Sequence, residues 1–301
     1  MTMRVPNLLN NAQAQLDLQR IKQSFAQTVQ QVSSGQAIVD IADDPSGNTQ
    51  VLGYQADISQ NGQYISQANT ANAYLTSTST LLTTMGNDLN SLTQLAQEGL
   101  GSGATTSSQD AIATQVDALR SDLISLGNTQ EQGRYIFAGT NTTQQPFDPT
   151  TGAYSGNDGS ISLAVSQTAT VATNVPGDTL FFGGAGGEGG DGDLLTQAAN
   201  LATALQANDT AGIQTAYNNL QAISDRVNTI VADVGSRQNG IQAVQSGLTA
   251  FNNTLTTQES SIASVDYPTA ITQLNQESVA EQATLSVMSK ANQKTLFDYL
   301  G

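Results

Sequence analysis

The residues able to do chemistry are few in this chain, and those present point away from catalysis. There is no His and no Cys, which removes the imidazole base, the thiol nucleophile, the H-E-x-x-H zinc site and every thiolate metal site. Carboxylates remain, but no spacing places two of them across a cleft as acid/base work requires. Gly184-Ala185-Gly186-Gly187-Glu188-Gly189 matches the dinucleotide pattern G-x-G-x-x-G, with a strand reading before it, a helix after it and Asp209 further on. That chemistry needs a βαβ unit in a parallel sheet. Here a long helical repeat follows with no second strand, so the segment reads as a glycine-rich hinge and no cofactor is expected. Gly186 to Asp191 also resembles half of a calcium-binding nonapeptide repeat. Such repeats work by stacking copies, and this one is single, with Asp193 where an apolar residue belongs. Asp40, Asp43 and Asp44 have metal-ligand spacing, but Asp44 ahead of Pro45 reads as a helix cap, where an acid also favours the helix dipole.

The elements that must hold these residues are rods. From Ile213 to Val265 apolar residues recur in alternating steps of three and four: Ile213, Ala216, Leu220, Ile223, Val227, Ile230, Val234, Ile241, Val244, Leu248, Phe251, Leu255, Ile262 and Val265. Only Arg237 and Gln258 interrupt the series. A 3.5-residue period held this long keeps one seam facing a partner helix. Arg237, flanked by Gly235 and Gly240, either fixes the register of that seam or snorkels past a glycine notch. A second long helix is expected from 46 to 98, with Ala68, Leu75, Leu82, Leu89 and Ala96 on one stripe and Met85 and Leu92 between them. A third follows a Ser107/Asp110 capping box and carries Ile112, Val116, Leu119, Leu123 and Leu126. Three such helices suffice for an antiparallel bundle.

After Gly127 the texture changes. Residues 134–138 are short, aromatic and bounded by glycines, and Ile161, Leu163 and Val165 alternate with polar residues. Both read as strand, with a small sheet continuing through Val171 and Val175 to Phe181 and Phe182. The helices at the two ends are weaker. The N-terminal one offers Leu18, Ile21 and Phe25, and the C-terminal one Ile271, Leu274, Leu285 and Met288, with Ser278 and Glu281 breaking the register. Alone each would fray, so these residues are expected to form assembly seams. The fold class is mainly α: a long antiparallel coiled-coil helical bundle built from the N- and C-terminal halves, with a small inserted β domain. Residues 1–35 and 270–301 are the terminal helices, 36–140 and 190–269 the helical rod, and 141–189 the β domain with its glycine-rich hinge.

The bulk numbers fit that picture. Aromatic residues make up 5% of 301 and charged residues 11%, with a net charge of −16, which suits thin bundles better than one thick core. Nine basic residues are too few for a phosphate-binding stripe, so neither nucleic acid nor an anionic membrane is an expected partner. No apolar run is long enough to span a bilayer, and no secretory signal stands at the N-terminus. Absent cysteine is compatible with an extracellular setting.

Several segments together resemble one family. Ser33-Ser34-Gly35 with Ala42-Asp43-Asp44-Pro45-Ser46-Gly47 is similar to the N-terminal segment of the bacterial flagellin superfamily. Val234-Gly235-Ser236-Arg237-Gln238-Asn239 is similar to its Gly-x-Arg segment, and Val265 to Ala270 with Leu296 to Leu300 resembles its C-terminal helix. Gly133-Arg134-Tyr135-Ile136-Phe137-Ala138-Gly139, then Pro146-Phe147, Tyr154-Ser155-Gly156 and Asn174 to Phe181, resembles the hook–filament junction branch of that superfamily. The 183–192 stretch matches no family segment. The resemblance implies a structural, non-enzymatic, extracellular protein of the flagellum, exported unfolded without a cleaved signal peptide. It implies an adaptor seated between hook-associated protein 1 and the flagellin filament, with copies of itself in a ring. It also implies terminal helices that are disordered in the free subunit and pair on assembly, and an export chaperone on the C-terminal helix. A filament-forming flagellin and a secreted calcium-dependent binding module are the competing expectations.

Overall fold

A computed structural model of the chain describes residues 4–101, 105–184 and 187–300, with side chains between 12 and 290. Six α-helices dominate it: α1 (Arg4–Ser34), α2 (Pro45–Gly99), α3 (Thr106–Gly127), α4 (Leu194–Gln206), α5 (Thr210–Ala263) and α6 (Tyr267–Leu300). Between α3 and α4 lie two antiparallel two-stranded sheets, β1 (Gln130–Glu131) with β2 (Arg134–Tyr135) and β3 (Ser162–Ala164) with β4 (Thr170–Ala172), followed by a π-helical turn (Asp178–Phe182). The helical bundle with a small β insert is the expected fold class. None of the described helices is long and apolar enough to cross a membrane. The chain divides into two compact units, one of residues 1–60 and 250–301, the other of residues 61–249. Helices α2 and α5 contribute to both.

In the second unit the heptads work as written. Ala68, Leu75, Leu82, Met85, Leu89, Leu92 and Ala96 of α2 are fully buried, as are Ile213, Leu220, Val234 and Ile241 of α5. The two helices run antiparallel, joined by Gln97–Tyr217, Thr76–Gln238 and Asn69–Gln245 side-chain hydrogen bonds at 2.9, 3.1 and 2.8 Å. Helix α3 adds Ile112, Val116 and Leu123 to the same core and packs on α4. Its N-terminus differs from expectation. The capping box is Thr105/Ser108, not Ser107/Asp110: Thr105 Oγ1 accepts from Ser108 N at 3.2 Å, and Ser108 Oγ accepts from Thr105 N at 2.9 Å. Two hydroxyls satisfy the orphan amides as well as a hydroxyl–carboxylate pair would.

The insert also departs from the strand reading. Only Arg134 and Tyr135 of the 134–138 run are paired, and nothing strand-like continues from β4 to Phe182. The apolar side chains there turn inward instead. Phe137, Phe147 and Phe181 are fully buried and Phe182 nearly so, with Phe147 4.4 Å from Phe181 and 5.1 Å from Tyr154 between ring centroids. This is an aromatic plug on the end of α3, where a Cβ on Gly127 would lie 2.7 Å from the Phe147 ring. The alternating Ile161, Leu163 and Val165 do frame strand β3, whereas the aromatic residues after Tyr135 turn into the plug, because aromatic burial outweighed sheet formation there.

In the first unit α1 packs against α6. The Ser24 hydroxyl donates to Glu277, and Lys22 lies 3.9 Å from Glu281. Residues 35–37 cross the end of α5, with Ala37 N donating to Ala263 O at 2.7 Å and Val265 N to Gly35 O at 3.0 Å. Gln55 of α2 donates to Glu259 of α5 at 2.7 Å.

Candidate functional site

The first candidate surface is defined by what it leaves uncovered. All ten exposed large hydrophobic side chains among the described residues belong to the first unit: Leu16, Val29, Ile41, Leu52, Phe251, Tyr267, Ile271, Val279, Leu285 and Val287. Among the described residues its buried apolar side chains are Val51, Leu255 and Ala270, whereas the second unit holds the remainder of the core. Of the expected seam residues, Ile271 and Leu285 are 47% and 46% exposed. Leu18, Ile21, Phe25, Leu274 and Met288 are half-buried. The interior of the α1–α6 pair is polar where a seam would be apolar: Thr28 is buried, and Glu277 takes hydrogen bonds from Ser24 and Gln273. Burial works against the Glu277 carboxylate, but hydrogen bonds from Ser24, Gln273 and Thr28 together hold its pKa below the usual glutamate value.

The turn after α1 is built by its two central aspartates. Asp43 accepts from Val39 N, Asp40 N and Gln27 Nε2. Asp44 Oδ1 accepts from Ser46 N and Gly47 N at 3.1 and 2.9 Å, capping α2 directly ahead of Pro45. Both carboxylates are committed to backbone donors, and no cluster of three metal-ligating side chains occurs among the described residues.

The second candidate surface is the insert, and arginines fasten it to the rods. Arg237 does neither thing expected of it. It pairs with Asp233 at 2.5 Å and donates from Nη1 to Asn174 O at 3.2 Å, tying α5 to the segment after β4. Arg226, which the sequence reading passed over, donates to the carbonyls of Leu180, Phe181 and Gly192 at 2.8–3.3 Å. Burial lowers its pKa, opposed by the nearby Asp193. Arg120 of α3 donates to Leu195 O and Thr151 O. A signal for Arg226 was available: on a helix with so few cations it has no carboxylate three or four residues away, so its partners had to be tertiary.

Asparagines and glycines complete the insert. Asn128 holds Phe147 by both amide atoms, at 2.9 and 3.0 Å. Gly139 has φ +67°, and a Cβ there would lie 2.1 Å from Asn157 O. Tyr154 Oη sits 2.9 Å from Phe137 O and 3.0 Å from Asn157 O; burial, and then the Asp178 charge, push its pKa up to about 12. The glycine-rich stretch follows a π-helical turn rather than a strand, and the sheets are antiparallel, so the dinucleotide frame is absent among the described residues. Ala185 and Gly186 of that motif lie outside the described residues. Asp193, the residue out of place in a calcium repeat, caps α4 by accepting from Leu195 N, Thr196 N and Thr196 Oγ1, and reaches back to Gly189 N.

Of the motif residues 133–139, Arg134, Tyr135 and Ile136 line a cleft of about 380 Å³, together with Tyr74 of α2, Ile161 and Leu163. Arg134 is exposed, and its side chain has no hydrogen bond or ion pair among the described residues. Its cross-strand neighbour Glu131 is turned instead to Ser77 of α2 at 3.1 Å.

Comparison with known proteins agrees with this architecture. The model of the bacterial flagellin N-terminal helical region matches residues 5–142, and that of the bacterial flagellin C-terminal helical region matches residues 219–300. The chain is 26% identical over 292 residues to flagellar hook-associated protein 3 of Salmonella typhimurium, covering 89% of this chain and 90% of that protein. A solved structure from Vibrio parahaemolyticus, described as a flagellar hook-associated protein, superposes with a TM-score of 0.67 at 20% identity, over 74% of this chain and all of that one. The flagellar junction protein FlgL of Legionella pneumophila superposes with a TM-score of 0.60 at 13% identity, over 71% of this chain and all of that one. This chain belongs to the bacterial flagellin family, and within it is similar to hook-associated protein 3 along nearly nine-tenths of its length.

Proposed function

We propose that this chain is the structural adaptor between the flagellar hook and the flagellin filament. The observation that carries the reading is the concentration of every exposed large hydrophobic side chain among the described residues in the unit built from the two chain ends. Burying such surface against neighbouring copies, at roughly 25 cal/mol per Å² of apolar area, offsets the entropy of ordering the terminal helices. Residues 1–35 and 270–301 are then loose in the free subunit and pair through Leu18, Ile21, Phe25, Ile271, Leu274, Leu285 and Met288 on assembly. Residues 36–140 and 190–269 form the rod, and 141–189 the outer β domain.

Copies of the chain form a ring that rests on hook-associated protein 1 and receives flagellin on its other side. Before export a chaperone covers the C-terminal helix and so shields Ile271, Val279 and Leu285. The role asks for no catalysis, and the chain's lack of His and Cys is consistent with that.

The test is a deletion strain. Hooks without filaments, with flagellin shed into the medium and both defects reversed by this chain, support the adaptor role. Filaments of normal length in the deletion strain overturn it. Seeded growth of the purified chain into long filaments would replace it with the filament reading. Limited proteolysis checks the terminal helices separately: about thirty residues should be trimmed from each end of the monomer, and complete resistance at both ends refutes their loose state.

A further inference from the structure

The second unit sets an electrostatic problem for any ring of copies. Residues 61–249 carry 15 carboxylates and only four arginines. Three of those arginines, Arg120, Arg226 and Arg237, are committed to backbone carbonyls within the unit. Identical units placed side by side therefore repel, unless a cation is kept free for the neighbour. Arg134 is that cation. It is exposed, without a side-chain partner among the described residues, and set at the cleft of about 380 Å³ bounded by Tyr74, Tyr135, Ile161 and Leu163. The cross-strand carboxylate that could have neutralised it, Glu131, is held by Ser77.

The same unit carries a segment shaped to enter such a cleft. Gly187-Glu188-Gly189-Gly190-Asp191-Gly192 presents two exposed carboxylates with no bulky side chain beside either. Among the described residues Glu188 has no side-chain partner, and Asp191 has one long hydrogen bond, from Asn219 at 3.4 Å. Its base is fixed, because Arg226 holds Gly192 O and Asp193 holds Gly189 N. The segment stands beside Asn219 of α5, whereas the strand next to the cleft is tied to Arg237 of the same helix. At 1.5 Å per residue these points are about 27 Å apart along α5. They are two different patches of one unit, as a head-to-tail contact requires.

We infer that the Arg134 cleft is the socket for a second copy of this chain, and that it takes the acidic glycine loop carrying Glu188 and Asp191. The inference rests on the ring of copies in the adaptor reading and specifies its lateral contact. Each copy offers a socket and a plug at different levels of the rod, so the contact is heterologous and propagates from copy to copy instead of ending at a dimer.

The absence of cysteine makes the test clean. Thr70→Cys is placed at the cleft rim and Gly190→Cys in the loop, in full-length chain expressed in the deletion strain, and flagellar preparations are oxidised and run without reductant. The doubly substituted chain should form a ladder of dimers, trimers and higher species. Either single variant should form none. Arg134→Glu in the doubly substituted chain should cut the ladder about ten-fold, and adding Glu188→Lys with Asp191→Lys should restore it. The inference is overturned by an absent ladder, by a single variant linking to itself, by failure of the charge exchange to restore the ladder, or by Thr70→Cys linking to a different flagellar protein. Filament growth in the same cells reports on the adaptor role alone. A ladder without filaments upholds the contact and refutes the role, and filaments without a ladder do the reverse.

Discussion

Replacing Arg226 by Ala tests whether the insert is held by arginine–carbonyl contacts. In the native chain Arg226 donates to three carbonyls: Leu180 O at 3.1 and 3.3 Å, Phe181 O at 3.2 Å and Gly192 O at 2.8 Å. Leu180 and Phe181 are fully buried, so their carbonyls find no ready substitute for the lost donors. A buried polar group left without its partner costs about 1–3 kcal/mol, and water can reach the third carbonyl, on the less buried Gly192, so the loss is put at about 3 kcal/mol. For a unit of this size that lowers Tm by roughly 2–4 °C per kcal/mol, or about 6–12 °C in all. Arg226→Lys keeps the charge but cannot span three acceptors, and should recover about half of the loss. The control is Arg134→Ala, an arginine of the same unit with no side-chain partner among the described residues, which should stay within about 0.5 kcal/mol of the parent. The assay is urea unfolding followed by far-ultraviolet circular dichroism, on chain trimmed of any loose ends by protease. If Arg226→Ala and Arg134→Ala shift the midpoint equally, the carbonyl contacts contribute nothing and the reasoning fails.

Three further outcomes follow from the same contacts. Phe147→Ala removes the ring on which Tyr154, Phe181 and Phe182 converge, and should cost about 3–5 kcal/mol in urea unfolding, with loss of the near-ultraviolet aromatic signal. Gly139→Ala should cost more than about 2 kcal/mol in the same assay, since its φ of +67° is strained for alanine and the added Cβ would meet Asn157 O at 2.1 Å. Tyr154 carries a pH dependence. Its folded pKa of about 12 lies above the unfolded value of 10.0, so its stabilisation is complete below pH 10 and is lost as pH rises towards 12. The group is only partly buried, so the loss is put at about 1 kcal/mol. Urea midpoints measured between pH 8 and 12 should fall along this limb, and Tyr154→Phe should flatten it.

The rods were legible in the sequence because their cause is periodic. A buried stripe must recur at the helical repeat, and Leu75, Leu82, Leu89 and Ala96 are fully buried where the heptad put them. Asp44 was legible as a cap for a similar reason, since the donors it satisfies lie two and three residues ahead. The insert was not legible in the same way. Its alternating Ile161, Leu163 and Val165 do mark strand β3, but the aromatic runs at 134–138 and 181–182 also read as sheet, and an aromatic plug needs only a surface such as the end of α3. Arg237 and Arg226 were misread or missed because their acceptors are backbone carbonyls 34–65 residues away in sequence. Every residue has a carbonyl, so no side-chain pattern marks which ones will be left over.

The leftover carbonyls also explain why a chain of net charge −16 keeps cations in its middle at all. Irregular segments fold only if their backbone polar groups are satisfied. The insert, with two short sheets and one π-helical turn, cannot do this internally, so the rods supply donors from Arg120, Arg226 and Arg237. Arginine suits the task because its fan of N–H groups reaches several acceptors while its stem packs along the helix. A chain spending cations in this way has few to spare for its neighbours. That scarcity gives the unpaired Arg134 its weight: in a unit where every other arginine is bound to a carbonyl, exposure of the fourth is the feature the internal packing does not account for.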